Sequence, residues 1–142
     1  MIAEIGGPVK AKDLLARAVK AAKKAHAPYS KFRVGAAVEG ERGVYLGANV
    51  ENASYGLSLC AERAALAAAL AAGDRKISAI AIACIDAPKS AAVSSRMPCG
   101  ACRQWLAELA PEAVVTILGA PRNYSVAELL PHAFRLRQTP KR

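Results

Sequence analysis

Three of the four cysteines in this chain lie in two short segments whose spacing suits a metal ion. Cys99 and Cys102 form a C-x-x-C pair, which lets one turn of chain hold one metal. Cys60 lies well upstream, so it becomes a third ligand only if the fold brings it there. Three protein ligands leave the fourth tetrahedral position of a zinc ion open, as a catalytic site requires. The sequence therefore predicts an open metal site made by these three thiols.

Glu62 follows Cys60 by two residues and is the candidate for proton transfer at that site. Zinc enzymes that deaminate nucleobases combine a three-cysteine site with a glutamate that is not a ligand. The alternative for Glu62 is a solvent-facing residue that favours the helix dipole. The alternative for the cysteines is buried thiols or a closed structural zinc site, which needs a fourth cysteine or histidine. Cys84 lies within an apolar strand and is expected in the core, and the two histidines, His26 and His132, have no ligand spacing.

Length and composition indicate one globular domain over residues 1–142, because 54% of the residues are hydrophobic. No apolar run approaches the roughly 20 residues that span a bilayer. Residues 1–7 have no basic start and no apolar stretch, so we expect no secretory signal. Four cysteines without a leader favour a reducing compartment, the cytoplasm.

The net charge of +9 has two interpretations. Basic proteins gain affinity for nucleic acids by neutralising phosphates. However, the charge is concentrated on one predicted helix and on the tail after about residue 134, and few aromatic residues are interleaved to stack on bases. We therefore interpret it as a solvated surface and predict neither a nucleic-acid nor a membrane partner.

Periodicity and turn residues predict an alternation of helices and strands. Helices are expected over 8–26, 58–72 and 99–109, with a short last one after the capping box of Ser125 and Glu128; strands are expected over 32–38, 44–50, 77–85 and 113–118. The first two strands form a hairpin, and the later strand–helix–strand run implies parallel pairing. The predicted fold is a single-domain α/β protein, a three-layer α/β/α sandwich around a mixed sheet of about five strands.

Helix starts are expected to carry the chemistry. With Ser58 as N-cap, residues 60–63 fall in the first turn of the second long helix, where free N–H groups favour a thiolate. Cys99 and Cys102 lie near the start of the next one. The metal site should therefore lie where two helix N-termini converge beside the sheet.

Four motifs together resemble the small homotetrameric cytidine deaminases, and the resemblance runs over residues 29–134. In chain order they are Phe32-Arg33-Val34-Gly35-Ala36-Ala37, Asn49-Val50-Glu51-Asn52-Ala53-Ser54-Tyr55, Cys60-Ala61-Glu62-Arg63 and Pro98-Cys99-Gly100-Ala101-Cys102-Arg103-Gln104. The resemblance implies hydrolytic deamination of cytidine and 2′-deoxycytidine to uridine and 2′-deoxyuridine plus ammonia, in pyrimidine salvage. It also implies one zinc ion per subunit, held by Cys60, Cys99 and Cys102.

The resemblance assigns further roles around the zinc. Glu62 would take a proton from the zinc-bound water, protonate ring N3 and then protonate the leaving ammonia. Arg63 would draw electron density from the thiolates and so restore acidity to a net-negative cluster, unless it is an ordinary surface arginine. Ala61 would offer its backbone N–H to the base carbonyl.

Asn49 and Glu51 resemble the clamp on the ribose 3′-hydroxyl, the alternative being local turn chemistry at a strand end. Such a clamp does not read the 2′ position, so it sets no preference between cytidine and deoxycytidine, and it favours free nucleosides over polymers. Phe32 resembles a wall against the pyrimidine, or else belongs to the core. The clamp and the wall together make up the predicted nucleoside pocket.

Other residues resemble parts that cross between subunits. Phe134 is similar to a C-terminal phenylalanine that enters a neighbouring site, and Ala53 and Tyr55 belong to a loop that crosses subunits. The chain departs from the family after Phe134, where it continues with a basic tail, and residues 119–124 are short for the usual fifth strand.

Three rival functions share part of this pattern. A deaminase of a bulkier cytosine nucleoside such as blasticidin S would have the same zinc motifs, although the full 49–55 motif disfavours it. A polynucleotide deaminase would fit the charge, but more usually has histidine as first ligand and has no use for a 3′-hydroxyl clamp. A zinc-binding module without enzymatic activity would show no turnover, and Glu62→Gln would change only the stability of the protein.

Overall fold

The computed structural model describes residues 8–137. The segment 1–7, for which no secretory signal is expected, and the last part of the basic tail, 138–142, lie outside the described residues. The helices are α1 (Ala11–Ala22), α2 (Ala61–Ala71), α3 (Gly100–Leu109) and α4 (Val126–Leu129), and the strands are β1 (Val34–Gly40), β2 (Val44–Ala48), β3 (Ile77–Cys84), β4 (Val114–Ile117) and β5 (Tyr124–Ser125). Short 3₁₀ turns cover Tyr55–Leu57 and Val93–Arg96.

The five strands form one mixed sheet in the order β2-β1-β3-β4-β5. The hairpin β1–β2 is antiparallel, β1 is also antiparallel to β3, and β3 runs parallel to β4. The β3–α3–β4 unit therefore has the predicted parallel pairing, whereas β1 separates β2 from β3. The short fifth strand pairs antiparallel with β4, so the expected mixed sheet of about five strands is confirmed.

Helices cover both faces of the sheet, as the three-layer prediction requires. On one face, the apolar side of α1 packs through Leu14 and Ala18 on small strand residues such as Ala37 and Ala81. The other face carries α2, α3 and α4 over the larger core cluster. Close approach is enforced by glycine, because a Cβ at Gly35 would lie 2.0 Å from the Ala18 carbonyl oxygen.

Several predicted element ends are wrong, and long-range pairing explains them. Ser58 does not cap α2; Cys60 does, because Leu59 forms a β-bridge with Val50 and keeps the preceding chain extended. The Ser58 hydroxyl instead accepts from the Asn52 N–H. The first strand begins at Val34, so Phe32 precedes it.

Helix α1 is shorter than predicted at both ends. It begins at Ala11 because the Val9 N–H is drawn to the Glu39 carboxylate at 2.6 Å. It ends before His26, whose backbone bridges to Val50. Among the described residues, no helix is long and apolar enough to cross a membrane.

Candidate functional site

The fold brings the three predicted metal-ligating cysteines together. The sulfur atoms of Cys60, Cys99 and Cys102 all lie within 4.8 Å of one another, with Cys60 Sγ 3.8 Å from Cys99 Sγ and Cys99 Sγ 3.5 Å from Cys102 Sγ. Cys102 is buried, Cys60 half-buried and Cys99 exposed. The cluster therefore has a closed side within the protein and an open side, an arrangement that suits a tetrahedral ion with one exchangeable position.

Two helix starts position these thiols. Cys60 is the N-cap of α2 and Cys99 the N-cap of α3, and neither side chain makes a capping hydrogen bond. Their sulfur atoms are therefore left for a metal, while the free N–H groups of both first turns favour negative charge nearby. The expectation that two helix N-termini converge on the site is confirmed.

The Arg63 guanidinium contacts the cluster directly. Its Nη2 donates to Cys60 Sγ at 3.4 Å, and this contact raises the pKa of Arg63. Cys102 and Arg63 together lower the pKa of Cys60 to about 5, so this thiol is a thiolate at neutral pH. The pKa of Cys102 is raised by that neighbouring thiolate and by burial. Arg63 is thus a cluster residue and not an ordinary surface arginine.

Glu62 is buried beside the same thiols, with 5% of its surface exposed. Burial, and then the charge of Cys60, raise the pKa of Glu62 to about 7. A carboxyl group with this pKa both takes up and releases a proton near neutral pH, the property that general acid–base work needs. The alternative of a solvent-facing helix glutamate is wrong.

The two predicted ribose-clamp residues are held by the chain segment 29–34. Asn49 Oδ1 accepts from the Val34 N–H at 2.8 Å, and Asn49 Nδ2 donates to the Phe32 carbonyl at 2.9 Å. Glu51 Oε1 accepts from the N–H groups of Tyr29 and Ser30, both at 3.1 Å.

Asn49 and Glu51 keep hydrogen-bonding groups that these contacts do not use. The hydrogen bonds from Ser30 lower the pKa of Glu51, which keeps it ionised. One amide hydrogen of Asn49 and one carboxylate oxygen of Glu51 are not used in these contacts, so each can still bond a hydroxyl. The alternative of purely local turn chemistry is wrong for both side chains.

The remaining predicted residues lie at different depths. Phe32 is half-buried and packs against the main core cluster, so its role as a wall of the nucleoside pocket stays a prediction. Ala61 is buried as the first residue of α2, where its N–H has no partner within the helix. Ala53 is exposed, and Tyr55 is 73% exposed and makes an edge contact with Tyr29.

Phe134 projects from the body of the protein, with 69% of its surface exposed. Its carbonyl oxygen accepts from Gln104 Nε2 at 3.0 Å, so α3 fixes where the C-terminal segment leaves the fold. Arg103 supports the same segment, because its guanidinium joins the Pro98 carbonyl to that of Leu129.

The fourth cysteine does not join the cluster. Cys84 is buried at the end of β3, burial raises its pKa to about 11, and its thiol donates to the Arg96 carbonyl at 3.8 Å. Within residues 8–137 no other cysteine, histidine or carboxylate completes the three-thiol group. The closed structural site is therefore not supported.

One pair near the site is absent from the residues predicted from sequence. Asp86 accepts three hydrogen bonds from Arg33, and these bonds lower its pKa to about 2. The sequence signal for this pair is positional, since Asp86 lies two residues after the end of the buried strand β3.

Comparison with known proteins gives one family. The family model for the cytidine and deoxycytidylate deaminase zinc-binding region matches residues 8–118. A curated cytidine deaminase of Halalkalibacterium halodurans is 45% identical over 126 residues, covering 85% of this chain and 91% of that protein. One of Mycobacterium tuberculosis is 42% identical over 130 residues, covering 90% and 92%.

Solved structures show the same likeness. The crystal structure of cytidine deaminase from Burkholderia pseudomallei superposes with a TM-score of 0.75 at 44% identity, covering 89% of this chain and all of that one. That of Mycobacterium tuberculosis superposes with a TM-score of 0.76 at 37% identity, covering 91% of this chain and 100% of that chain.

Proposed function

Because the chain belongs to the cytidine and deoxycytidylate deaminase zinc-binding family, we propose that it hydrolyses cytidine to uridine and ammonia, and 2′-deoxycytidine to 2′-deoxyuridine. The observation that carries the proposal is the convergence of three thiols, with a buried glutamate beside them, at two helix starts. The whole chain acts as one catalytic domain.

The donor set fits zinc. Soft thiolates select zinc over harder cations, and the three sulfur atoms are close enough for a single ion to reach. Cys60, Cys99 and Cys102 are its ligands. When bound, zinc supplies the Lewis acidity that makes a water nucleophilic enough to attack C4 of the cytosine ring near neutral pH.

Glu62 moves the protons of the reaction. Its carboxylate accepts one proton from the attacking water and delivers it to ring N3. It then accepts the second proton from the new C4 hydroxyl and gives it to the departing amine, so water and cytidine yield uridine and ammonia. Burial supports this role, because it raises the pKa of Glu62 to about 7. A carboxyl group with a pKa near neutral pH both accepts and releases a proton readily. The Arg63 guanidinium offsets the negative charge of the Cys60 thiolate, so a bound zinc ion stays a stronger Lewis acid.

The nucleoside is held at the edge of the sheet. Asn49 and Glu51 bond the 3′-hydroxyl with the groups that they do not use on the segment 29–34. Phe32 packs on the pyrimidine, and the Ala61 N–H meets the base carbonyl. A clamp on that hydroxyl excludes chains linked through it, so the substrates are free nucleosides and not polynucleotides.

The assembly is a homotetramer with sites shared between subunits. Exposed apolar residues near the site support this, among them Tyr55 and Leu57, each 73% exposed in the single chain. Tyr55 and Ala53 cross towards a neighbour, and Phe134 enters a neighbouring site. We place the enzyme in the cytoplasm, where its four unpaired cysteines stay reduced.

A substrate panel tests this function. Purified protein is given cytidine, 2′-deoxycytidine, a short cytosine-containing oligonucleotide and blasticidin S separately, and loss of the amine is followed by ultraviolet absorbance. Turnover of the two free nucleosides alone is expected. Turnover of the oligonucleotide would contradict the clamp, and turnover of blasticidin S alone would assign the bulkier substrate.

A further inference from the structure

We propose that Asp86 and Arg33 are positioning residues for the ribose clamp, because they hold the chain at the start of β1, to which the Asn49 amide is bonded. This inference rests on the proposed function and adds to it two residues that belong neither to the three-thiol cluster nor to the predicted clamp. They act on the nucleoside through the two peptide groups that flank Arg33, which the Asn49 amide also bonds.

Asp86 and Arg33 form an anchor between the chain that leaves β3 and the chain that enters β1. Asp86 follows β3, and its Oδ2 accepts both the Arg33 backbone N–H at 2.8 Å and the Arg33 Nε at 2.9 Å. Its Oδ1 accepts from Arg33 Nη2 at 2.8 Å. The Asp86 carboxylate therefore bonds both the backbone and the side chain of Arg33, and the side chain fixes the orientation of the carboxylate. In addition, the Ile85 N–H donates to the Arg33 carbonyl at 3.2 Å.

The anchor is connected to the clamp through the Asn49 amide. Asn49 forms hydrogen bonds with the two residues that flank Arg33, because its side-chain amide bonds the Phe32 carbonyl and the Val34 N–H. Fixing the peptide groups on either side of Arg33 therefore fixes the orientation of the Asn49 amide. Phe32 is held by the same anchor, so the base wall and the sugar clamp share one support.

The anchor acts by geometry more than by charge. Both side chains are partly exposed, 44% for Arg33 and 26% for Asp86, and ion pairs of this kind contribute little to stability. The four directed hydrogen bonds between residues 33 and 85–86 instead define where the strand begins. A small displacement of a positioned group is enough to weaken binding of the sugar.

The test compares cytidine with cytidine that lacks its 3′-hydroxyl. Asp86→Ala is expected to raise the KM for cytidine by roughly three- to tenfold, as for a lost hydrogen bond, with a smaller fall in kcat. The preference for cytidine over the 3′-deoxy analogue, measured as a ratio of kcat/KM values, should fall by about threefold or more. Asp86→Asn should restore part of the preference, because its amide oxygen still accepts the Arg33 N–H.

Two further variants keep the test decisive. Arg33→Ala keeps the backbone bond but loses the two guanidinium bonds, and should lower the 3′-hydroxyl preference even if Asp86→Ala folds poorly. Arg42→Ala is the matched control and should leave the preference unchanged. Arg42 lies beyond the opposite end of β1, where its Nε is 3.7 Å from Asp74 Oδ1.

The outcomes separate the two proposals. Wild-type protein that leaves cytidine unchanged overturns the proposed function and this inference with it. Wild-type turnover with an unchanged 3′-hydroxyl preference in Arg33→Ala and in folded Asp86→Ala overturns the positioning role alone.

Discussion

The Arg63 guanidinium reduces the negative charge that the Cys60 thiolate offers to a bound metal. Arg63 Nη2 lies 3.4 Å from the sulfur, and its buried Nε has no hydrogen-bond partner among the described residues. The guanidinium therefore contacts the cluster through Nη2. Arg63→Gln should keep zinc but lower kcat/KM about 10- to 100-fold, because the metal becomes a weaker acid. Activity measured per bound zinc checks this, and full activity in the variant would contradict it.

The thiol pKa values predict a pH dependence of zinc affinity. Cys60, with a pKa of about 5, is already ionised at neutral pH, whereas the raised pKa of Cys102 means that zinc must displace its proton. Affinity should therefore fall by at least about tenfold per pH unit on acidification from about pH 8 to about pH 6. Competition with a chromogenic chelator measures it. A flat profile over this range would contradict the raised pKa of Cys102.

Glycines set how closely helices approach the sheet. A Cβ at Gly47 would lie 2.3 Å from the Ala61 carbonyl oxygen and 2.5 Å from the Ala65 nitrogen, so it would push away the helix that carries Glu62. Gly47→Ala should lower the free energy of unfolding by about 1–3 kcal/mol and weaken zinc binding as well. Urea unfolding and chelator competition measure the two effects.

Two other glycines provide controls for that element. Gly35→Ala meets α1 on the opposite face, so it should lower stability with a smaller effect on zinc affinity. Gly56 has no atom within 4 Å of a new Cβ, and Gly56→Ala should change stability by no more than about 0.5 kcal/mol. Unchanged zinc affinity in Gly47→Ala would mean that α2 is not positioned by this contact.

The elements also show what sequence patterns can predict. The apolar run of β3 and the helix pattern of α3 placed Cys99 and Cys102 correctly, because local periodicity and topology rules suffice there. The cap of α2 was misassigned to Ser58, since the Val50–Leu59 bridge that displaces it joins chain segments with no local signature. The Asp86–Arg33 anchor was missed for the same reason, because 53 residues separate its partners.

On the scale of the whole molecule, α2 presents an alanine-rich outer face. Ala67, Ala68 and Ala71 are exposed in the single chain, although their neighbours pack on the sheet. Burial of this face against copies of itself would complete the proposed tetramer. Ala68→Glu should therefore give smaller species by light scattering, because a charge would be buried at the interface.

Ala16 supplies the matched control, since it is exposed on α1 among lysines and away from α2. Ala16→Glu should leave the tetramer intact. A wild-type monomer at working concentration would contradict the assembly, as would an intact tetramer of Ala68→Glu.

The most direct measurement is conversion of cytidine to uridine by the zinc-loaded protein and by Glu62→Gln, each with its metal content determined. We expect turnover by the wild type and a loss of about 10²–10⁴-fold or more in the variant, with zinc retained, because only the proton carrier has been removed. Equal activity of the two would contradict the role of Glu62. No turnover by wild-type protein with zinc fully bound would contradict the proposed function itself.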